Sequence, residues 1–211
     1  MERIICLAIG YVCGLLQTGY LVGKLNHIDI RQQGSGNAGS TNALRVMGWK
    51  AGGMTFAGDV LKCVAAVVIV RLLFWESTCV PLLSMYAAAG ATLGHNFPFY
   101  LHFKGGKGIA VLAGIVVSSG WMMVPIPLMA FLIPVLLTRY ISLGSLMAYV
   151  MFFLEMIFYG QMGGLEMNLP ARVELYVVVF LLMVLAWYRH KENIRRLLSG
   201  TENQLGKTKK G

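Results

Sequence analysis

From Ile109 to Leu137 the chain runs for 29 residues without a charged side chain, and Gly120, Trp121, Pro125 and Pro127 cluster near the middle of that run. A bilayer-spanning helix needs about 20 apolar residues, whereas helices of soluble domains average about 11–12 residues. Such a segment is at home in lipid. Further apolar stretches fall at 4–23, 52–74, 79–94, 142–160 and 171–188. Of 211 residues, 57% are hydrophobic and 13% charged, against about 45–50% and about 25% in soluble domains. The expectation is an all-α polytopic membrane protein, with residues 1–211 forming one integral membrane domain. The first stretch is longer than a signal-peptide core and lacks a small-x-small cleavage pattern, so it reads as a retained span.

The long run can be one tilted helix or two helices folded back, and the charges discriminate. If it crosses twice or re-enters, the segments 24–50, 95–107, 138–141 and the tail after 188 share one face, carrying 4, 2, 1 and 7 of the basic residues. A single crossing would split these residues 6 to 8 between the faces, against the tendency of Lys and Arg to collect in cytoplasmic loops. The expectation is therefore seven transmembrane helices, with the N-terminus outside and the C-terminus cytoplasmic. The same tendency accounts for the net charge of +9, so no nucleic-acid partner is called for. Cys6, Cys13, Cys63 and Cys79 lie in or beside apolar segments without metal-ligand or disulfide spacing. Glycines four apart at Gly10/Gly14, Gly19/Gly23 and Gly90/Gly94 let helix backbones approach closely. Asp59 and Lys62 share one face of the second span and are expected to pair or to reach the interface. Glu155 is a further carboxylate in an apolar span, and no role is assigned to it.

Three polar segments of the expected cytoplasmic face carry the chemistry. The first runs from Asp29 to Arg45 and holds Gly34, Ser35, Gly36, Asn37, Gly39, Ser40, Thr41 and Asn42. Glycines let successive N–H groups turn toward one anion, hydroxyls and amides add donors, and a guanidinium grips phosphate through two hydrogen bonds. A flexible turn is the competing reading, since the run matches neither the P-loop nor the dinucleotide fingerprint. The second segment, Gly94-His95-Asn96-Phe97-Pro98 through Lys104-Gly105-Gly106-Lys107-Gly108, opens into an apolar helix. Lysines at a helix N-terminus combine fixed charge with free N–H donors, although ordinary orientation signals would look the same. After the last span, His190, Asn193 and Arg196 share a helical face. The joint at Thr138-Arg139-Tyr140-Ile141-Ser142 adds a cation and a hydroxyl. No Gly-x-Ser-x-Gly elbow, His-x-x-x-x-Asp pair or Asp-rich motif is present. The available chemistry rests on cations, N–H donors and one histidine, with no metal and no cofactor.

Taken together, the three segments resemble the acyl-phosphate-dependent glycerol-3-phosphate acyltransferase family of bacterial membranes over essentially the whole chain. The resemblance rests on Gly34 to Asn42 with Arg45, on Gly94-His95-x-x-Pro98 followed by Phe103 to Gly108, and on His190-x-x-Asn193-Ile194-x-Arg196-Leu197 with Gly200-x-Glu202. It implies transfer of an acyl group from acyl phosphate to the 1-hydroxyl of sn-glycerol 3-phosphate, at the cytoplasmic face of the inner membrane, by a monomer embedded in the lipid bilayer. It further implies catalytic roles for Ser35, Arg45, Lys104, His190 and Asn193. Substrate-binding roles follow for Gly34, Gly36, Asn37, Thr41, Asn42, Gly105, Gly106, Lys107, Gly108 and Ser142. Val111 stands where the family usually has Thr. A transporter for phosphate or an organic phosphate is the rival reading, weakened because the polar residues gather on one face rather than at the midplane.

Overall fold

In the computed structural model, which describes residues 1–206, the long apolar run is two helices. Gly120 takes φ 123° after Ser119, and Pro125 starts the next helix within its first turn. A positive φ costs Gly little and a side chain much, so this is where a sharp reversal falls. The described residues form nine α-helices and short turns, without strands. These are α1 (Glu2–Gly14), α2 (Thr18–Leu25), α3 (Ser40–Leu73), α4 (Val80–Asn96), α5 (Ile109–Ser119), α6 (Pro125–Thr138), α7 (Ile141–Gln161), α8 (Leu169–Arg189) and α9 (Lys191–Leu198). The tail lysines Lys207, Lys209 and Lys210, included in the charge count, lie outside the described residues.

Two boundaries differ from expectation. The first span is broken between Gly14 and Thr18, leaving the carbonyls of Leu15 and Leu16 without helical partners; Tyr100 Oη and Lys62 Nζ donate to them at 2.6 and 2.7 Å. The helix expected from residue 52 already begins at Ser40 and kinks at Gly48, whose φ of 84° is non-helical. Its first turns therefore belong to the polar segment.

By length and composition, four segments among the described residues can cross a membrane: Glu2–Leu25, Trp121–Thr138, Ile141–Gln161 and Leu169–Arg189. In lipid, association rests on close packing more than on the hydrophobic effect, and the seam between α1 and α4 shows it. A Cβ on Gly10, Gly14, Gly90 or Gly94 would collide with the backbone of the facing helix. Leu82, Val111, Ile115, Tyr149, Phe152 and Leu175 fill the centre of the bundle. At one end, Arg3 on α1 forms a two-point ion pair with Glu174 on α8, which also accepts a 2.8 Å hydrogen bond from Tyr86 on α4. At the other end the three polar segments meet. The α5–α6 pair leaves from there at Ile109 and comes back to Ser142 in the same cavity.

Candidate active site

The cavity encloses about 730 Å³ including its open mouth, and residues from all three polar segments line it. Arg45, Lys107 and Arg196 supply positive charge, while Ser35, Asn37, Thr41, Ser142, His190 and Asn193 supply polar groups. Two helix N-termini open into it, α3 at Gly39 to Thr41 and α5 at Gly108 to Ala110. The first N–H groups of a helix have no partner within it and carry the positive end of its dipole. The cavity is thus arranged for anions.

In the first segment, Gly34 and Gly36 have φ of 62° and 69°. Their positive φ lets the chain wrap around Asn42, which is 1% exposed. The Asn42 amide donates to the carbonyls of Ile30 and Gln33 at 3.1 and 2.9 Å, and its oxygen accepts from Ser35 N at 2.9 Å and Arg45 at 3.4 Å. Those contacts consume its hydrogen-bonding capacity. Asn42 builds the loop, leaving Ser35, Asn37, Thr41 and Arg45 facing the cavity. Arg45 has no acidic partner among the described residues.

The second segment departs from its sequence reading in two respects. Gly105 N–H and Gly106 N–H donate to the carbonyls of Asn96 and His95 at 3.2 and 3.0 Å, and Arg189 caps the carbonyls of both glycines. These N–H groups pin the loop to the end of α4 and are not available to an anion. The free donors are those at the start of α5. The two lysines also separate: Lys104, expected to be catalytic, is exposed and does not line the cavity, whereas Lys107 does. His102 and Phe103, both in the left-handed region at φ 54° and 59°, turn the chain just before Lys104. Burial pushes the Lys107 ammonium down to about 8, with the nearby Arg196 charge acting in the same direction. Val111 is packed in the core and does not line the cavity.

In the third segment, His190 ends α8 and is 4% exposed. Its Nδ1 lies 2.8 Å from the Ala186 carbonyl. A carbonyl only accepts, so Nδ1 carries the proton and Nε2 keeps a lone pair. Burial pushes the imidazole down to about 4, so the ring is neutral at physiological pH. Asn193 accepts from Lys107 Nζ and donates to Glu202 at 2.8 Å, and Glu202 also accepts from Arg196 at 2.8 Å. Leu205 N–H donates to the Arg139 carbonyl at 2.8 Å, which holds the residues after α9 across the mouth of the cavity. The Ser142 hydroxyl is buried without a hydrogen-bond partner, an expensive arrangement that a polar ligand would relieve.

Among the expected residues, Ser35, Asn37, Thr41, Asn42, Arg45, Lys107, Gly108, Ser142, His190 and Asn193 meet at the cavity, while Gly34, Gly36, Gly105 and Gly106 shape its loops from behind. Asp59, His95, Ser145 and Asn203 also line it; His95 belongs to the second polar segment, whereas the sequence assigns no place in the site to Asp59, Ser145 or Asn203. The apolar surroundings of Asp59 were the available signal, since a carboxylate in a span is rare without a function.

Beside the cavity lies a groove of about 860 Å³, open side included, between α3, α5, α6 and α7, lined only by apolar residues that include Phe56, Leu112, Val116, Leu128 and Phe131. Ile109 belongs to both walls. A family model described as glycerol-3-phosphate acyltransferase matches residues 4–200, which takes in all three polar segments. The chain belongs to the glycerol-3-phosphate acyltransferase family. Among curated relatives, the glycerol-3-phosphate acyltransferase of Thermoanaerobacter pseudethanolicus is 38% identical over 98% of this chain and 97% of its own. That of Clostridioides difficile is 39% identical over the same shares. Two crystal structures of PlsY, an integral membrane glycerol 3-phosphate acyltransferase, superpose with TM-scores of 0.84 and 0.82 at 30% identity, covering 98% of this chain and 96% of theirs. One is the glycerol 3-phosphate form and the other the lysophosphatidic acid form. The chain is accordingly an integral membrane acyltransferase.

Proposed function

We propose that this acyltransferase moves a long-chain acyl group from acyl phosphate to the 1-hydroxyl of sn-glycerol 3-phosphate, releasing lysophosphatidic acid and inorganic phosphate. The observation that carries the reading is the junction at Ile109, where a cationic cavity meets a wholly apolar groove. Both substrates bear phosphate and one bears a long chain. The groove offers burial at about 0.8 kcal/mol per methylene, and Arg45, Lys107 and two helix N-termini offer the anion site.

In this reading the glycerol hydroxyl attacks the acyl carbonyl, the bond from carbonyl carbon to phosphate oxygen breaks, and phosphate leaves. Arg45 and Lys107 neutralise the departing charge, with Lys107 taking the part expected of Lys104. The free N–H groups of α5 stabilise charge developing in the transition state. His190 Nε2 accepts a hydrogen bond from the neighbouring 2-hydroxyl of the glycerol and so orients the substrate, leaving the hydrogen of the attacking hydroxyl free. Because an imidazole at about 4 is a feeble base at neutral pH, the proton passes to an oxygen of the donor phosphate. No covalent enzyme intermediate is required, since phosphate is already a good leaving group.

The membrane arrangement belongs to the same proposal: α1 with α2, then α3 to α8, give seven crossings, placing the cavity at the cytoplasmic face of the bacterial inner membrane and the Arg3 to Glu174 clasp outside. The test is an assay on detergent-purified protein with sn-glycerol 3-phosphate and either palmitoyl phosphate or palmitoyl-CoA, without added metal. Lysophosphatidic acid is expected from the acyl phosphate alone. Product from the CoA thioester alone would overturn the donor, and binding without product from either would restore the transporter.

A further inference from the structure

Lys62 sits inside the bundle with all three of its protons directed at acceptors. Its Nζ lies 2.7 Å from Asp59 Oδ1, 2.7 Å from the Leu16 carbonyl and 2.9 Å from His95 Nδ1. An ammonium has no lone pair, so it can only donate. His95 Nδ1 is therefore the acceptor, and the ring proton is on Nε2. The arrangement depends on the break in the first span, which frees the Leu16 carbonyl, and on Asp59, which balances the charge. His95 is 2% exposed and lines the cavity together with Arg45 and Lys107. Its Nε2 edge lies against Gly106: a side chain on that glycine would overlap the ring at Nε2. The ring is thus wedged beside the loop that leads into α5 and, one residue past Gly108, into the apolar groove. Gln17 braces the same point, its amide lying 3.2 Å from the His95 carbonyl.

We infer that His95 is a catalytic residue, whose Nε2–H donates to the carbonyl oxygen of the acyl donor as that oxygen gains charge. This rests on the acyl-transfer reading above. Lys62 and Asp59 are positioning residues: they fix the tautomer, and a neutral ring held as a donor needs no reorganisation when charge develops. The tautomer is opposite to that of His190, whose lone pair faces outward from Nε2. One histidine donates and the other accepts, which suits an acyl oxygen gaining charge and a glycerol hydroxyl that must be held in place. Gly106 fits the same scheme, since only a residue without Cβ leaves the ring in place.

The test combines spectroscopy with kinetics. In protein labelled with 15N-histidine, the His95 signals are assigned by their loss in His95→Gln. Nitrogen shifts in the wild type are expected to show Nδ1 bare and Nε2 protonated, and the Nε2 proton is expected to move downfield when a non-hydrolysable acyl phosphonate binds. A proton on Nδ1, or an Nε2 proton indifferent to the phosphonate, would overturn the proposal; should His95→Gln not fold, the His95 signals are those that persist in His27→Gln, His102→Gln and His190→Gln. In the assay, His95→Leu is expected to lower kcat by about 10²–10³-fold, the usual cost of losing one such donor, with the KM for glycerol phosphate little changed. His95→Gln, which keeps an N–H near the Nε2 position, is expected to recover at least about tenfold of that loss. A folded His95→Leu variant with kcat near wild type would refute the assignment. Wild-type protein that makes no product would instead refute the acyl-transfer reading.

Discussion

Lys107, one residue before the α5 cap, donates from Nζ to the amide oxygen of Asn193 on α9, so that two of the three polar segments are joined by one hydrogen bond across the cavity. Asn193 is in turn held by Glu202, and Glu202 by Arg196. A charge change at Lys107 therefore reaches the third segment directly.

Lys107→Met is expected to lower kcat/KM by about 10²-fold or more, through loss of a charge-assisted contact to phosphate. Lys104→Met, on the exposed side of the loop, should stay within about threefold of wild type, as surface changes usually do. Steady-state kinetics on the pair decides between the two lysines. The reverse ranking would move the phosphate site.

With Lys107 pushed down to about 8, its charge is present below that pH and is lost above it. In the free enzyme, kcat/KM should fall with pH above about 8, approaching tenfold per unit. Lys107→Arg should move that limb upward, because guanidinium stays charged. Stability follows the opposite course. Between the depressed folded value and the ordinary unfolded one near 10.4, the unfolded chain binds more protons, so this group's contribution to folding rises with pH. A pH–rate profile beside a pH–melting profile would show the two diverge.

His190 is neutral at any pH well above about 4, so an inflection near pH 6–7 in the wild-type rate belongs to the phosphate monoester, whose second pKa is about 6, and should persist in His190→Ala. His190→Ala should lower kcat throughout, by about 10²-fold or less, without changing the shape of the profile. An inflection near pH 6–7 that vanishes in His190→Ala would make the imidazole the proton acceptor.

Arg45→Ala should leave a folded protein with kcat/KM reduced by at least about 10²-fold, since two charge-assisted hydrogen bonds are each worth roughly 1.5–3 kcal/mol. Arg45 has no acidic partner among the described residues, so its removal strands no buried charge. Circular dichroism and gel filtration, run beside the assay, separate the two effects.

Ala113 is half-buried on the groove wall. Ala113→Phe should raise the KM for palmitoyl phosphate by about tenfold or more while sparing a short-chain donor, since each excluded methylene forfeits about 0.8 kcal/mol. Equal losses for both chain lengths would place the acyl chain elsewhere.

The reversal at Gly120 was legible because charge and turn residues agree there: the basic residues fit one face only if the chain folds back. The break at Leu15 to Gln17 left no local trace. It contains no proline, and what satisfies it are distant groups, Tyr100 and Lys62, that only tertiary structure brings near. The site divides in the same way. Its cations, hydroxyls and His190 could be named from motif chemistry. The choice between Lys104 and Lys107 could not, because the two flank one Gly-Gly pair and two consecutive left-handed residues precede them. Nor could the N–H groups of Gly105 and Gly106 be known to be spent on α4 carbonyls. The Asp59 and Lys62 pair is visible in the sequence. Its connection to His95 spans 33 positions and has no sequence signature.

The groove has no polar wall, and Phe56, Val117 and Leu128 on its flank are 45–54% exposed on the side where lipid would lie. An amphiphile can therefore slide in sideways from the leaflet without passing through water. Encounter becomes a search in two dimensions. The operative concentration of the donor is then its mole fraction among the lipids, so diluting the membrane with inert lipid should slow the reaction even when the bulk amounts of enzyme and donor are fixed.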